Sequence, residues 1–329
     1  VVVLAEIEEG EKLAASFLEA LHAARKIAEA YETRVDALVL GNNVEKVVEE
    51  ITYYGLDTIY VVDDAHLGTY HPECYLSAFR RACKDIRPTA IVMGHTLRSI
   101  DLAPRIAFDL DAGLISDCTG IDFDSDEMVF FKPVFSGNVV AGYTIETRPF
   151  IVSMRPKSLE PVRRLEKEQG SIIRIPADLA ASDIRIAVTD WVVREHAGIK
   201  LEDAAIIVAG GRGMGSAERF RELAVLAEML GAAVGASRPP VDMGWVPSES
   251  QVGQTGVIVA PDVYFAIGIS GSIQHIAGMA NSRTIVAINT DPEANIFKIA
   301  DYGIVGSCAE LIPSLIEAFQ ETVNSPSRN

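Results

Sequence analysis

Arg212 lies inside Gly210-Gly211-Arg212-Gly213-Met214-Gly215, and Arg238 follows the apolar run Ala232–Ala236 by two positions. Glycines let backbone N–H groups approach a phosphate, and an Arg fork pairs with its oxygens. Basic residues are scarce here: Leu201–Asn329 holds seven Lys or Arg against fourteen Asp or Glu. Two of the seven fall where strands should end, and ligands of open α/β sheets bind at the carboxyl ends of strands. The pair therefore marks a candidate diphosphate site; the alternative for each is a surface Arg in a tight turn. A second candidate is Gly268-Ile269-Ser270-Gly271-Ser272-Ile273-Gln274-His275, which joins a strand-like run to a short helix. Free N–H groups and the helix dipole would face an anion there, although the run is not G-x-G-x-x-G. His275 is the only side chain between Val263 and Ser282 that titrates near neutral pH, and it reads either as functional or as a satisfied core histidine.

Two polar loops complete the candidates. Gln251-Val252-Gly253-Gln254-Thr255-Gly256 offers two amides and a hydroxyl on a permissive backbone, or is a plain turn between strands. Asn289-Thr290-Asp291-Pro292 follows a strand and either binds a ribose hydroxyl or shapes an Asx-turn. Elsewhere the chemistry is thin. His66, His71 and Cys74 match no metal spacing, and no G-x-S-x-G, Walker A or H-E-x-x-H motif occurs. Ser270 has no base that spacing assigns, so a hydrolase is unsupported. Cys74, Cys83, Cys118 and Cys308 form no C-x-x-C pair and read as reduced, buried thiols of a cytoplasmic protein.

The elements that must hold these residues are legible from pattern. The chain has 329 residues, enough for about two domains. Its 46 acidic and 29 basic residues give a net charge of −17, which argues against nucleic acid and against anionic membrane surfaces. The uncharged window Val263–Ser282 is broken by Gly268, Ser270, Gly271, Ser272 and Gln274, so it reads as strand, turn and helix and not as a membrane span. Val1–Ala5 reads as a first strand and not as a signal peptide.

Strands are expected at Val35–Leu40, Thr58–Val62 and Thr89–Met93, with helices at Lys12–Ala30, Val44–Tyr53 and Glu73–Lys84. This alternation predicts a parallel sheet. Strand-like runs at Asp117–Phe123, Met128–Phe135, Val139–Ile145 and Phe150–Met154 then predict an antiparallel extension. Arg163–Gln169 and the turn-rich Pro176–Ser182 read as connections, with a boundary between Leu159 and Leu201. The second α/β unit runs through strands Ala205–Ala209, Ala232–Ala236, Val257–Val259, Val263–Ile267, Thr284–Ile288 and Gly303–Val305. Its helices are Ser216–Leu230, closed by Gly231, then Ser272–Met279 and Glu310–Val323. The fold class is α/β with two domains, 1–200 and 201–329.

These motifs, in this order, resemble the α subunit of electron transfer flavoprotein. The likeness rests on Gly210–Gly213, Val234–Arg238, Gln251–Gly256, Gly268–Gly278, Ile285–Pro292 and Ala300–Val305, and more loosely on Val3–Glu6, Pro104-Arg105, Leu114–Asp117 and Pro133–Asn138. It implies that the C-terminal doubly wound domain holds one FAD and that a β subunit completes a heterodimer, with AMP or a second FAD on β. It implies an N-terminal domain for subunit contacts, with no cofactor of its own. Carried onto this chain, Arg212, Ser237, Val252, Gly253, Gln254, Thr255, Ser270, Gly271, Ser272, Ile273, Gln274, His275 and Asn289 line the FAD. Arg238 would lie against the isoalloxazine ring, Thr255 near its N5 edge and His275 near its C2 carbonyl. Ser237 and the 270–272 turn would serve the diphosphate, and Asn289 and Asp291 the adenosine half. Ser307 stands where many relatives have Asp, also at the adenosine end. The implied role is an electron carrier and not an enzyme, fed by flavin dehydrogenases such as acyl-CoA dehydrogenase and discharging to a quinone oxidoreductase or another acceptor. The alternative is an electron-bifurcating complex that oxidises NADH through a second FAD on β.

Overall fold

The computed structural model describes residues 1–8, 12–124, 127–135, 139–167, 170–179, 184–186, 188–189, 198–202 and 204–324. They divide into two compact units, the first comprising Val1–Val134 and Val139–Trp191 and the second the chain from Val192 onward together with Phe135–Asn138. Parts of three sequence readings lie outside the described residues: 136–138 of the Pro133–Asn138 motif, 168–169 of the charged connection and 180–182 of the turn-rich stretch.

In the first unit, short apolar runs become the strands of one sheet, its inner strands buried on both faces and its edge strand β12 (Ser171–Arg174) exposed. They are β1 (Val2–Ala5), β4 (Asp36–Gly41), β5 (Thr58–Asp63), β6 (Ala90–Gly94), β7 (Gly113–Cys118), β11 (Phe150–Met154) and β12 (Ser171–Arg174). All pair in parallel in the order β12-β5-β4-β1-β6-β11-β7. Every residue of β4, β6 and β11 is buried, as a sheet covered on both sides requires. Phe17, Leu21 and Ile27 of α1 (Ala15–Ala30) and Val47 and Ile51 of α2 (Glu45–Ile51) cover one face. Phe79 of α3 (Pro72–Ile86) and Leu102 and Ile106 of α4 (Leu97–Leu110) cover the other. Thr96 starts α4 with a capping box, accepting from the Ser99 N–H while the Ser99 hydroxyl accepts from its own.

Three first-unit expectations need correction. Lys12 and Leu13 are not helical; they form β3 (Lys12–Leu13), antiparallel to β2 (Ile7–Glu8) with Ile7 opposite Leu13, and α1 starts after extended Ala14. The run Asp117–Phe123 is two strands, β7 ending at Cys118 and β8 (Gly120–Asp124) beginning after Thr119. Phe150–Met154 is not antiparallel. The antiparallel extension is a three-stranded sheet of β8, β9 (Glu127–Val134) and β10 (Val139–Tyr143), and the chain then returns to insert β11 between β6 and β7. Strands without intervening helices read as hairpins, but an apolar segment buried on both faces is satisfied only inside the parallel sheet. The edge strand β12 escaped sequence notice because all four of its residues are exposed and carry no alternation signal.

In the second unit β13 (Ile206–Gly210), β14 (Ala233–Ala236), β15 (Val263–Ile267), β16 (Thr284–Asn289) and β17 (Tyr302–Val305) pair in parallel as β14-β13-β15-β16-β17. The helix α5 (Ala217–Leu230) runs from β13 to β14 and ends at Gly231, whose φ of 60° is left-handed as a C-cap demands. Then come α6 (Arg238–Asp242), α7 (Ile273–Ile276) and α8 (Cys308–Asn324). The expected strand Val257–Val259 is absent: Val257 makes one isolated bridge to Val252, because the intervening glycine turn curls the chain back on itself. The expected helix from Ser272 spans only Ile273–Ile276, with turn beyond it. The doubly wound order reverses between β13 and β15, so the loops leaving these strands splay apart and open a crevice.

Candidate functional site

That crevice is a cavity of about 590 Å³. Every strand end around it contributes: Arg212 and Gly213 after β13, Ser237, Arg238, Pro239 and Asp242 after β14, Gly268, Ile269, Ser270, Ser272, Gln274 and His275 after β15, and Asn289 at the end of β16. The loop Gln251–Thr255 closes the remaining side. Glycine permits the approach of these segments. A Cβ on Gly213 would lie 2.8 Å from the Gly268 Cα, and one on Gly271, where φ is 79°, would run into the Ile296 backbone.

The polar groups of the cavity divide into those used by the fold and those left over. The backbone N–H groups of Ser270, Gly271 and Ser272 donate to nothing among the described residues. The four-residue α7 is too short for a developed dipole, so any anion here would be held by these N–H groups and by arginine. Val252 N–H donates to the Ala236 carbonyl at 2.8 Å, and Gln254 N–H to the Gln274 carbonyl at 2.8 Å, tying the 251–255 loop to β14 and to α7. Thr255 Oγ1 accepts from Gln251 Nε2 at 3.0 Å, which leaves its proton to donate. The Cys308 thiol, at the start of α8, donates to the Gly213 carbonyl at 3.2 Å and pins the Arg212 loop.

Arg238 opens α6, and its Nε lies 3.2 Å from Asp242 Oδ2 one turn on; both side chains are more than half exposed. Asn289 works for the fold. Its Nδ2 donates to the Ile269 carbonyl at 2.9 Å and its Oδ1 accepts from Asp291 N–H at 3.0 Å, the Asx-turn of the two readings. His275 is buried, with Nδ1 3.0 Å from the Val252 carbonyl and Nε2 3.1 Å from the Tyr264 hydroxyl. Burial lowers its pKa to about 4, the Val252 bond opposing. Both ring nitrogens therefore have protein partners, while the residue still lines the cavity.

Twelve of the sixteen expected site residues thus line one cavity; the side chains of the others do not: Gly271 has none, Ile273 begins α7 half-exposed, Asp291 Oδ1 accepts from the Glu293 N–H, and the Ser307 carbonyl accepts from the Glu310 and Leu311 N–H groups at the start of α8. Asp242 was missed. Only its place one turn after Arg238 would have signalled it.

The first unit has a corresponding crevice where its order reverses beside β1, but it is a remnant of about 20 Å³. Glu6 fills it, accepting from Thr96 Oγ1 at 2.6 Å with Arg98 Nε at 3.7 Å. Burial raises the Glu6 pKa, and the Thr96 bond and Arg98 pull against that rise. Among the described residues no group of His, Cys, Asp and Glu could hold a metal, and no helix is long and apolar enough to cross a membrane.

A glycine-cradled cleft lined by two arginines, at the reversal point of a doubly wound sheet, defines a nucleotide-cofactor-binding α/β protein. Residues 1–180 match the electron transfer flavoprotein domain and residues 200–280 the electron transfer flavoprotein FAD-binding domain. The chain is similar to the electron transfer flavoprotein subunit alpha of Thermoanaerobacterium thermosaccharolyticum, with 43% identity over 97% of both chains. It is similar to that of Bacillus subtilis, with 42% identity over 98% of this chain and 97% of the relative. Protein FixB of Clostridium saccharobutylicum is 38% identical over 98% of this chain and 97% of its own. The chain belongs to the electron transfer flavoprotein family, as an α subunit. Its role is electron transfer, its cofactor is FAD, and membership implies a β-subunit partner.

Proposed function

We propose that residues 201–329 hold one FAD in the 590 Å³ cavity and that the subunit relays electrons from flavin dehydrogenases, of acyl-CoA type, to a quinone-linked or other acceptor. The observation that carries this reading is the composition of the cavity wall. Two of only seven basic residues after position 200 line it, together with the 270–272 turn, whose N–H groups have no partner among the described residues. A dianionic diphosphate fits that donor set, and the glycine contacts leave its approach open. Arg212, Ser237 and the 270–272 turn would hold the diphosphate. Arg238 and Thr255 would face the ring system, and Asn289 would shape the adenosine end without spending a free donor on it.

FAD supplies reversible electron transfer when bound, and the protein's part is to hold it, exclude water and set its potential. Domain 1–200 serves subunit contacts in this reading. Glu6, occupying its reversal-point crevice, supports a domain with no nucleotide there, and AMP would belong to the β subunit. The subunit would act in the cytoplasm without membrane insertion. The test is to purify this chain with its β subunit, record the flavin spectrum and count nucleotides per heterodimer. One FAD, reduced by an acyl-CoA dehydrogenase with substrate, is expected. A colourless heterodimer overturns the cofactor site, and two FAD per heterodimer overturn the simple relay.

A further inference from the structure

Tyr264 lines no part of the cavity, yet it bears on the cavity through one group. It is completely buried in β15, and the only polar atom of its side chain meets His275 Nε2 at 3.1 Å. On the other side of the imidazole, Nδ1 lies 3.0 Å from the Val252 carbonyl. A carbonyl oxygen only accepts, so Nδ1 carries the ring proton; Nε2 of the neutral ring is then an acceptor, and the Tyr264 O–H donates to it. The direction of each bond follows from chemistry alone. The imidazole thereby joins three elements: β15, α7 and the Gln251–Gly256 loop.

We propose that Tyr264 is a positioning residue of the cofactor pocket: by donating to Nε2 it holds His275 in the Nδ1–H tautomer, and through that tautomer fixes the Val252 carbonyl and its loop. The inference rests on the FAD reading above and names a residue that acts on the same site from behind its wall. With phenylalanine at 264, the Nε2 lone pair would be buried without a donor. The ring would stay unsatisfied, or move its proton to Nε2 and abandon the Val252 carbonyl, or take up a second proton that burial opposes. Each outcome loosens the segment that carries Gly253, Gln254 and Thr255.

The experiment uses the heterodimer with 15N-labelled histidine and long-range 1H–15N correlation. Wild-type His275 is expected as the Nδ1–H tautomer. In Tyr264→Phe the Nε2 signal should move toward that of an unbonded acceptor, and FAD should be lost on dilution about tenfold faster. On a His275→Ala background, Tyr264→Phe should add no further loss. A wild-type Nε2–H ring, unchanged nitrogen signals in Tyr264→Phe, or equal losses in both backgrounds would each overturn the proposal. Should Tyr264→Phe not fold, 3-fluorotyrosine at 264 keeps the ring and strengthens the donor. It should shift Nε2 the opposite way, and an unmoved signal refutes the bond. A wild-type heterodimer that binds no FAD sinks the functional reading and leaves the tautomer measurement standing.

Discussion

Arg238 and Asp242 present opposite charges at one wall of the cavity, and their effects on a bound flavin must have opposite signs. A cation near the ring favours reduced states that carry negative charge, and a carboxylate disfavours them. At an effective dielectric near 20, a charge at 4 Å is worth about 4 kcal/mol; exposure and distance cut that to ~1.4 kcal/mol, or about 60 mV for one electron. Arg238→Ala should lower the flavin potential by tens of millivolts and Asp242→Asn should raise it, both read by spectroelectrochemical titration of the heterodimer. Arg238→Lys should recover part of the charge effect without the planar contact. Two shifts of the same sign would mean that the pair only braces α6. Sequence places Arg238 at a strand end, but its pairing with Asp242 depends on Pro239 and Pro240 lying inside a helical turn.

Glu19 makes a second prediction at this scale. It is buried in α1, and burial raises its pKa to about 7, although the N–H groups of Lys157, Ser158 and Leu159 hydrogen-bond to it and oppose the shift. A folded pKa above the unfolded value means that the folded chain binds the extra proton. The stability this contributes is complete below pH 4.5 and is lost as the pH rises through about 7. Glu19→Gln stands in for the protonated form. Thermal unfolding should show the variant more stable than wild type at pH 8 and nearly equal to it at pH 5; parallel profiles at both pH values would refute the buried charge.

At the scale of elements, the cavity is made by backbone approach. Gly271 and Gly215 both have left-handed φ, 79° and 84°, but a Cβ on Gly271 strikes the Ile296 backbone, whereas one on Gly215 meets nothing within 4 Å. Gly215→Ala should cost only conformational strain, about 1 kcal/mol, with FAD retained. Gly271→Ala must push the 270–272 turn off Ile296 and should lose FAD, measured by flavin fluorescence after gel filtration. Equal retention in both variants would show that the turn does not hold the cofactor. Helices were legible as elements because their apolar faces repeat, as in Phe17, Leu21, Ala24 and Ala28 of α1. Strand partners were not. β11 reads locally like the hairpin strands before it, and only its burial on both faces assigns it to the parallel sheet.

At the scale of the whole molecule, the described chain leaves apolar side chains in water. Tyr302 and Val305 on the edge strand β17, and Leu97 and Phe108 on α4, are each more than half exposed. In the heterodimer reading these side chains are covered by the β subunit. Expressed alone, the chain should retain FAD poorly and aggregate, whereas co-expression with a β subunit should yield a yellow heterodimer on size-exclusion chromatography. A flavin-saturated, stable monomer would contradict this.

The sequence by itself determined the two α/β domains, the four loops around the second sheet and the family, because each is carried by local pattern or by residue order. Glycine and arginine in a turn need no partner to be recognised. What only the tertiary structure decided are relations between distant segments. It inserted β11 into the parallel sheet and filled the first crevice with Glu6. It joined Arg238 to Asp242, and it closed His275 between Tyr264 and Val252. A hydrogen bond between residues 11 and 23 positions apart depends on where two loops leave a sheet, and that is fixed by packing and not by spacing along the chain.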